Sequence, residues 1–315
     1  MITVFIFSGA LFLGILYLIW RVKYRYPPAD VPKVLCYHKI SKSFLFEGTW
    51  TTPDRFFSQI DRLVEAGYRF IDEYTYLGGL EAGWLDGPAA GGRGQPGVGA
   101  ARGRRAGGGP GKQVFLTFDD GYAQIFSLVF PRLSRQNIPA HIFLVTDYAG
   151  LLSSWDLSLG RPRSRHLDWP EVKEMADGGF TFGSHGASHR DLTRLSDEAS
   201  LAELRRSKST IEDRLDRPVQ SFAYPFGRYN TRLSRLVRAA GYEAAFSLYP
   251  AHPNERLDRY ALRRNGIYII DTPLTLKLKL ERHPLSWFEE MKCRAINRVA
   301  ALTPMLKSFS GTRDS

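Results

Sequence analysis

Cysteine is nearly absent: Cys36 and Cys293 are the only two in 315 residues, and they lie far apart. No disulfide framework or zinc-finger spacing can be built from them, and the redox compartment stays open. Acidic residues are in deficit, with 32 Asp and Glu against 43 Lys and Arg, for a net charge of +11. That excess attracts anionic surfaces such as phospholipid headgroups or nucleic acid. The sequence has no helix-turn-helix pattern and no aromatic RNA-binding signature, so no nucleic-acid partner is expected. No Lys or Arg precedes the first apolar run, Ile2 to Trp20, and no small-residue cleavage site follows it, which argues against a cleavable signal peptide. The run approaches the ~20 residues that a spanning helix needs. Residues 1–26 are therefore expected to be a transmembrane anchor with a basic flank, placing Trp20, Tyr24 and Tyr26 at the interface. Arg21, Lys23 and Arg25 all follow the run, which by the positive-inside rule puts the rest of the chain in the cytoplasm.

Core-forming residues are almost missing from 83–112, a stretch of Gly, Ala, Pro and Arg that reads as a disordered insertion. Around it, strands and helices alternate. Val34–Tyr37, Val114–Phe118, Ala140–Val145, Phe180–Gly183, Phe222–Tyr224, Ala244–Leu248 and Gly266–Ile270 read as strands. Helices are expected after Thr52-Pro53, over Ile125–Leu133, Trp169–Met175 and Ser196–Leu215, and from Asn230 to a stop at Gly241. Such alternation predicts a parallel α/β fold, barrel or open sheet, with its active site at the carboxyl ends of the strands. From Trp287 to Leu306 an apolar stripe with flanking Lys and Arg suits either a membrane surface or packing on the domain.

Three segments carry chemistry. Thr117-Phe118-Asp119-Asp120-Gly121 puts two carboxylates at a strand end, a costly arrangement unless a cation compensates them. His185 and His189 follow another short strand, four residues apart, and on a helical turn would face one side. Neutral imidazole is a common ligand for zinc and its neighbours, so a two-His, one-carboxylate metal site is expected. In Phe222-Ala223-Tyr224-Pro225-Phe226-Gly227, Pro and Gly flank one residue and can fix a turn that aims a backbone N–H at a developing oxyanion.

In this order the three segments resemble the polysaccharide deacetylase family, the NodB-homology or carbohydrate esterase 4 group, over roughly Val34 to Ile270. The resemblance implies a distorted (β/α) barrel of NodB type over about 31–275, followed by a basic amphipathic tail, 276–315. It implies a divalent metal, zinc first with cobalt or nickel as alternatives, and hydrolysis of N-acetyl or O-acetyl groups on sugars. Carried over by position, Asp119 is the general base, Asp120, His185 and His189 hold the metal, and Tyr224, Pro225 and Phe226 form the oxyanion and substrate turn, with the Phe226 N–H at the oxyanion. Two departures stand out. The Arg that orients the base in the family's third motif is replaced by Ala223, so Arg264 or its neighbour Arg263 is expected to substitute. The late Leu-x-His motif is missing, and the early Tyr37-His38 pair resembles the version found in members with rearranged strand order, which makes His38 the expected acid for the leaving amine. Trp169 is expected either in the sugar groove or in the core.

The partner implied is an acetylated amino-sugar polymer or a lipid-linked sugar at a membrane. Family habit places such enzymes outside the cell, against the flanking charges. A deformylase or deacylase of a polyprenyl-phosphate sugar at the cytoplasmic face is the alternative that agrees with those charges. A non-catalytic sugar- or lipid-binding module is the alternative of another class, favoured by the missing Arg and His.

Overall fold

The computed structural model describes residues 32–43, 49–82, 112–155, 163–248 and 258–281, together with Gly14 and residues 288–289, 291–293 and 295–296. The expected anchor, the insertion up to residue 111 and most of the tail lie outside the described residues. Among the described residues no helix is long and apolar enough to cross a membrane.

The strands are β1 (Lys33–Tyr37), β2 (Lys39–Ile40), β3 (Trp50–Thr51), β4 (Arg69–Ile71), β5 (Gln113–Phe118), β6 (His141–Leu144), β7 (Thr181–Ser184), β8 (Ser221–Ala223), β9 (Ala244–Ser247), β10 (Leu262–Arg263) and β11 (Asn265–Gly266). The helices are α1 (Pro53–Glu65), α2 (Glu73–Glu81), α3 (Phe130–Arg135), α4 (Trp169–Asp177), α5 (Asp197–Leu215), α6 (Thr231–Ala239) and α7 (Pro273–Leu280). Their starts follow local chemistry. Thr52 accepts from the Arg55 N–H ahead of Pro53, and Asp168 and Glu171 form a capping box. Ser196 and Asn230 cap α5 and α6. Each such cap is worth about 1 kcal/mol. The expected helix over Ile125–Leu133 instead splits into a π-helical turn, Ile125–Val129, and α3.

Nine strands form one sheet in the order β10-β9-β8-β7-β6-β5-β1-β11, with β4 beside β5. β10 pairs parallel with β9, β11 pairs parallel with β1, and only Arg264 separates them. One short segment therefore joins both edges and closes the sheet into a distorted barrel. The expectation of a strand over Gly266–Ile270 is corrected here: pairing runs over 262–266, and Ile270 is exposed. The apolar run that suggested the strand follows the closing pairs, while Arg264 faces the barrel interior.

Alternation along the strands separates two cores. Outward residues such as Leu35, Leu116, Ile142, Phe182, Phe222 and Ala245 pack under the helices. Inward residues Val34, Phe115, Phe143, Ala223, Phe246 and Leu262 meet Tyr76, Leu77 and Leu80 of α2, which plugs the amino-terminal end. Gly183 must be glycine because a Cβ there would lie 2.7 Å from the Phe143 ring and 2.6 Å from His141. Beside this aromatic layer lies a buried polar group: the His141 ring contacts Thr181 Oγ1 at 2.8 Å and Ser221 Oγ at 3.1 Å, and Ser221 donates to Glu73. Burial pushes the Glu73 carboxyl up to about 8 and the His141 imidazole down to about 3.

A pH dependence follows. An unfolded Glu73 loses its proton near pH 4.3, whereas the folded one keeps it to about 8. Over that interval the native state binds more protons, so this group's contribution to stability falls as pH rises. Above about pH 6.5 an unfolded His141 is also neutral and no longer opposes the trend. Urea denaturation between about pH 6.5 and 8 should show a decline on the order of 2 kcal/mol that Glu73→Gln flattens. Parallel curves for the two proteins would refute the assignment.

Candidate active site

Asp119 and Asp120 leave the end of β5 in different directions because the backbone turns over there. Asp119 N–H is held by the Tyr37 carbonyl at 2.9 Å, continuing the ladder to β1. Asp120 then enters the left-handed region with φ 67°. Gly121 follows with φ 66°, and a Cβ there would lie 2.7 Å from Leu144. His166 holds the outside of the turn through Nδ1, 2.7 Å from the Asp120 carbonyl.

Asp119 points inward. Arg264 grips it with two bonds, Nη1 to Oδ1 at 2.5 Å and Nη2 to Oδ2 at 2.7 Å. Both residues are buried, and the guanidinium rests over the Phe143 ring at 5.1 Å. Burial alone would raise the Asp119 carboxyl, but Arg264, helped by His185 and His38, holds it well below the usual carboxylate range. The cation that Ala223 does not supply thus comes from Arg264 rather than Arg263. Cys36, inward on β1, donates its thiol to Asp119 Oδ2 at 3.3 Å, and burial pushes that thiol's pKa up. His38 Nε2 lies 3.7 Å from the same oxygen, with 16% of the side chain exposed at the mouth. Burial lowers the His38 pKa against the pull of both aspartates.

Asp120 faces the two remaining histidines. Its Oδ1 is 3.6 Å from His185 Nε2 and 3.3 Å from His189 Nε2, and one ligand atom from each residue lies within 4.8 Å of the others. Bonds of about 2.0–2.2 Å from one ion to O and N donors place those donors roughly 3.3–3.6 Å apart, so the three residues fit a divalent metal. His185 Nδ1 sits 2.7 Å from the Ala223 carbonyl, which fixes that nitrogen as the donor and leaves Nε2 to face the site.

The helical turn expected for the histidines is not found. Residues 185–190 form a loop, and His189 adopts φ 56°. Glu203 of α5 fastens this loop: Oε2 accepts from the Ala187 and Ser188 N–H groups at 3.1 and 2.9 Å, and Oε1 accepts from Ser188 Oγ at 2.9 Å. The third segment also bends back, with Phe226 at φ 59° and its ring centroid 4.7 Å from His189. Tyr224, expected in the substrate turn, is turned out into the outer core, where its hydroxyl donates to the Tyr260 carbonyl at 2.8 Å. Pro225 is buried behind the turn. Trp169 packs on the outer core beneath Arg214, away from the groove. A different tryptophan reaches the site: Trp155 stacks on His189 at 4.2 Å and continues to Tyr148 and His166 at 4.5 and 5.0 Å. Nothing in the spacing around Trp155 signals this. Glu203 had a weak signal, a carboxylate within the buried stripe Ser200, Leu204, Ser207, Ile211.

A parallel barrel with a clamped carboxylate and a two-His, one-carboxylate cluster at the carboxyl ends of its strands defines a hydrolytic class of barrel enzyme. Among known families, the chain matches the polysaccharide deacetylase model over residues 106–245. It is 28% identical over 153 residues to YxkH of Bacillus subtilis, covering 49% of this chain and 50% of that protein. It is 25% identical over 148 residues to a poly-beta-1,6-N-acetyl-D-glucosamine N-deacetylase of Staphylococcus aureus, covering 44% of this chain and 49% of that one. The chain thus spans about half the length of the curated relatives it matches. The fold superposes on the Streptococcus pyogenes deacetylase PplD, solved with acetate, over 79% of this chain and 98% of that one, with 21% identity and a TM-score of 0.59. IcaB from Ammonifex degensii matches over 79% and 95%, with 22% identity and a TM-score of 0.58.

The clamp makes a prediction. Arg264→Met leaves Asp119 buried without its cation and should cost about 3–5 kcal/mol in urea denaturation. Adding Asp119→Asn should recover most of that loss. Additive costs in the double variant would show that the pair is not coupled.

Proposed function

We propose that the chain is a metal-dependent N-deacetylase of an acetylated amino-sugar polymer of the poly-β-1,6-N-acetylglucosamine kind, held at a membrane by its N-terminal apolar segment. The observation that carries this reading is the division of the paired carboxylates: Asp119 is clamped by Arg264 and faces His38, while Asp120 turns to His185 and His189. The name of the Staphylococcus aureus relative supports the substrate class. A divalent ion held by Asp120, His185 and His189 would polarise the acyl carbonyl and acidify its water, so that only a weak base is needed.

Asp119, kept ionised by Arg264, takes a proton from the attacking water as its oxygen bonds to the acyl carbon. The Phe226 N–H supports the oxyanion that forms. The proton taken up by Asp119 moves to His38 Nε2, 3.7 Å from Oδ2, and His38 gives it to the amine as the carbon–nitrogen bond breaks, releasing acetate and the free amino sugar. Trp155 and Tyr148 offer flat faces beside His189 for a sugar ring.

The full chain in detergent should release acetate from β-1,6-linked N-acetylglucosamine oligomers with zinc or cobalt, and chelation should abolish release. Asp119→Asn and His38→Ala should each lower the rate by about 10²–10⁴-fold while leaving ion binding in place. Metal-loaded protein that binds the oligomers without releasing acetate would overturn the reading. Glu203→Gln loosens the loop that carries His189 and should weaken zinc binding about 10–100-fold in calorimetric titration. An unchanged constant would make Glu203 a folding residue only.

A further inference from the structure

Cys36 has no part in the reaction just derived, yet it lies at the centre of the site. Its thiol is 3.3 Å from Asp119 Oδ2 and 4.0 Å from His38 Nδ1, and His38 Nε2 is 3.7 Å from that same Oδ2. One ligand atom from each of Cys36, His38 and Asp119 lies within 4.8 Å of the others. We propose that Cys36, His38 and Asp119 form a second, inhibitory metal site that takes a thiophilic divalent ion, zinc in excess or cadmium.

A tetrahedral ion with bonds of about 2.3 Å to sulfur and about 2.0–2.2 Å to nitrogen and oxygen needs donors roughly 3.3–3.6 Å apart. Cys36 Sγ and Asp119 Oδ2 already meet that at 3.3 Å, and His38, with Nδ1 nearest the sulfur and Nε2 nearest the carboxylate, must turn to bring one of these nitrogens to both. A set of one sulfur, one nitrogen and one oxygen favours zinc and softer ions over magnesium or calcium. Entry is through the mouth, where His38 is partly exposed; Cys36 itself is sealed inside the barrel. On binding, the metal–sulfur bond forms and the thiol proton leaves to solvent, with no change of oxidation state. The Arg264 guanidinium holds both Asp119 oxygens and repels a second cation, so this site is the weaker one and fills after the Asp120 cluster. Once filled, it occupies both the base and the acid. The inhibition rests on the deacetylase reading; the binding does not.

Metal-free full chain titrated with cobalt(II) tests both parts. The first equivalent should give visible ligand-field bands alone, and the second should add a near-ultraviolet thiolate-to-cobalt charge-transfer band. That band should vanish in Cys36→Ser and persist in Cys293→Ser, the variant of the other cysteine. No charge-transfer band at excess cobalt, or one that survives Cys36→Ser, overturns the proposal. Should Cys36→Ser not fold, His38→Gln decides: the second constant should weaken at least about tenfold with the first unmoved, and an unmoved second constant sinks the site. Zinc beyond one equivalent should suppress acetate release in parallel with the second constant. A charge-transfer band without any acetate release would remove the reaction and leave the second site standing.

Discussion

The buried pairing of Arg264 with Asp119 is the interaction on which the rest of the site depends. Removing two charges from water is expensive, and their attraction repays it only when geometry is close to ideal and the remaining hydrogen-bonding positions are filled. Here the fork of Arg264 takes both carboxylate oxygens, Nη1 also reaches Thr117, and the flat cation lies on Phe143. The aromatic layer between α2 and the strands is therefore more than filling. It is the floor that sets the height of the guanidinium, and so the height of Asp119 at the mouth.

A second constraint is backbone strain. Among the described residues, positive φ outside glycine occurs at Asp120, Asn137, His189, Asp216 and Phe226. Three of these five line the site, and each is stabilised from behind: Asp120 by His166, His189 by the Glu203-fastened loop, Phe226 by packing against His189. Such conformations cost on the order of 1–3 kcal/mol each and persist only where surroundings over-determine them. A smooth strand end would keep Asp119 and Asp120 on opposite faces of the sheet. The turnover at Asp120 instead lets two adjacent carboxylates serve one cavity with different partners.

What was legible in the sequence was local. Strand ends carrying Asp119-Asp120 and His185, the helix caps at Thr52, Ser196 and Asn230, and the alternation predicting a parallel α/β fold all depend on neighbours within a few positions. Arg264 was legible only as one of a pair, because its partner lies 145 positions away and only barrel closure decides which arginine faces inward. Trp155 and Cys36 gain their roles solely through contacts across the fold. The histidine loop misled for a physical reason: a four-residue spacing brings two imidazoles together on a helix, but a left-handed residue in a tight loop does so equally well. Tyr224 and Phe226 belong to one segment, yet strand alternation sends the first outward while a left-handed turn returns the second.

Barrel closure has an outcome in time as well as in space. The segment that completes the ring pairs with β1, Asn265 against Leu35 and Gly266 against Cys36, and also delivers the guanidinium to Asp119. During synthesis every other residue of the site leaves the ribosome first. A chain halted before Leu262 holds both carboxylates and all the histidines of the cavity but not the cation that keeps Asp119 ionised. Architecture and the charge balance of the cavity are thereby completed by the same few residues, so a growing chain carries Asp119 without its counter-charge until its last barrel strand arrives.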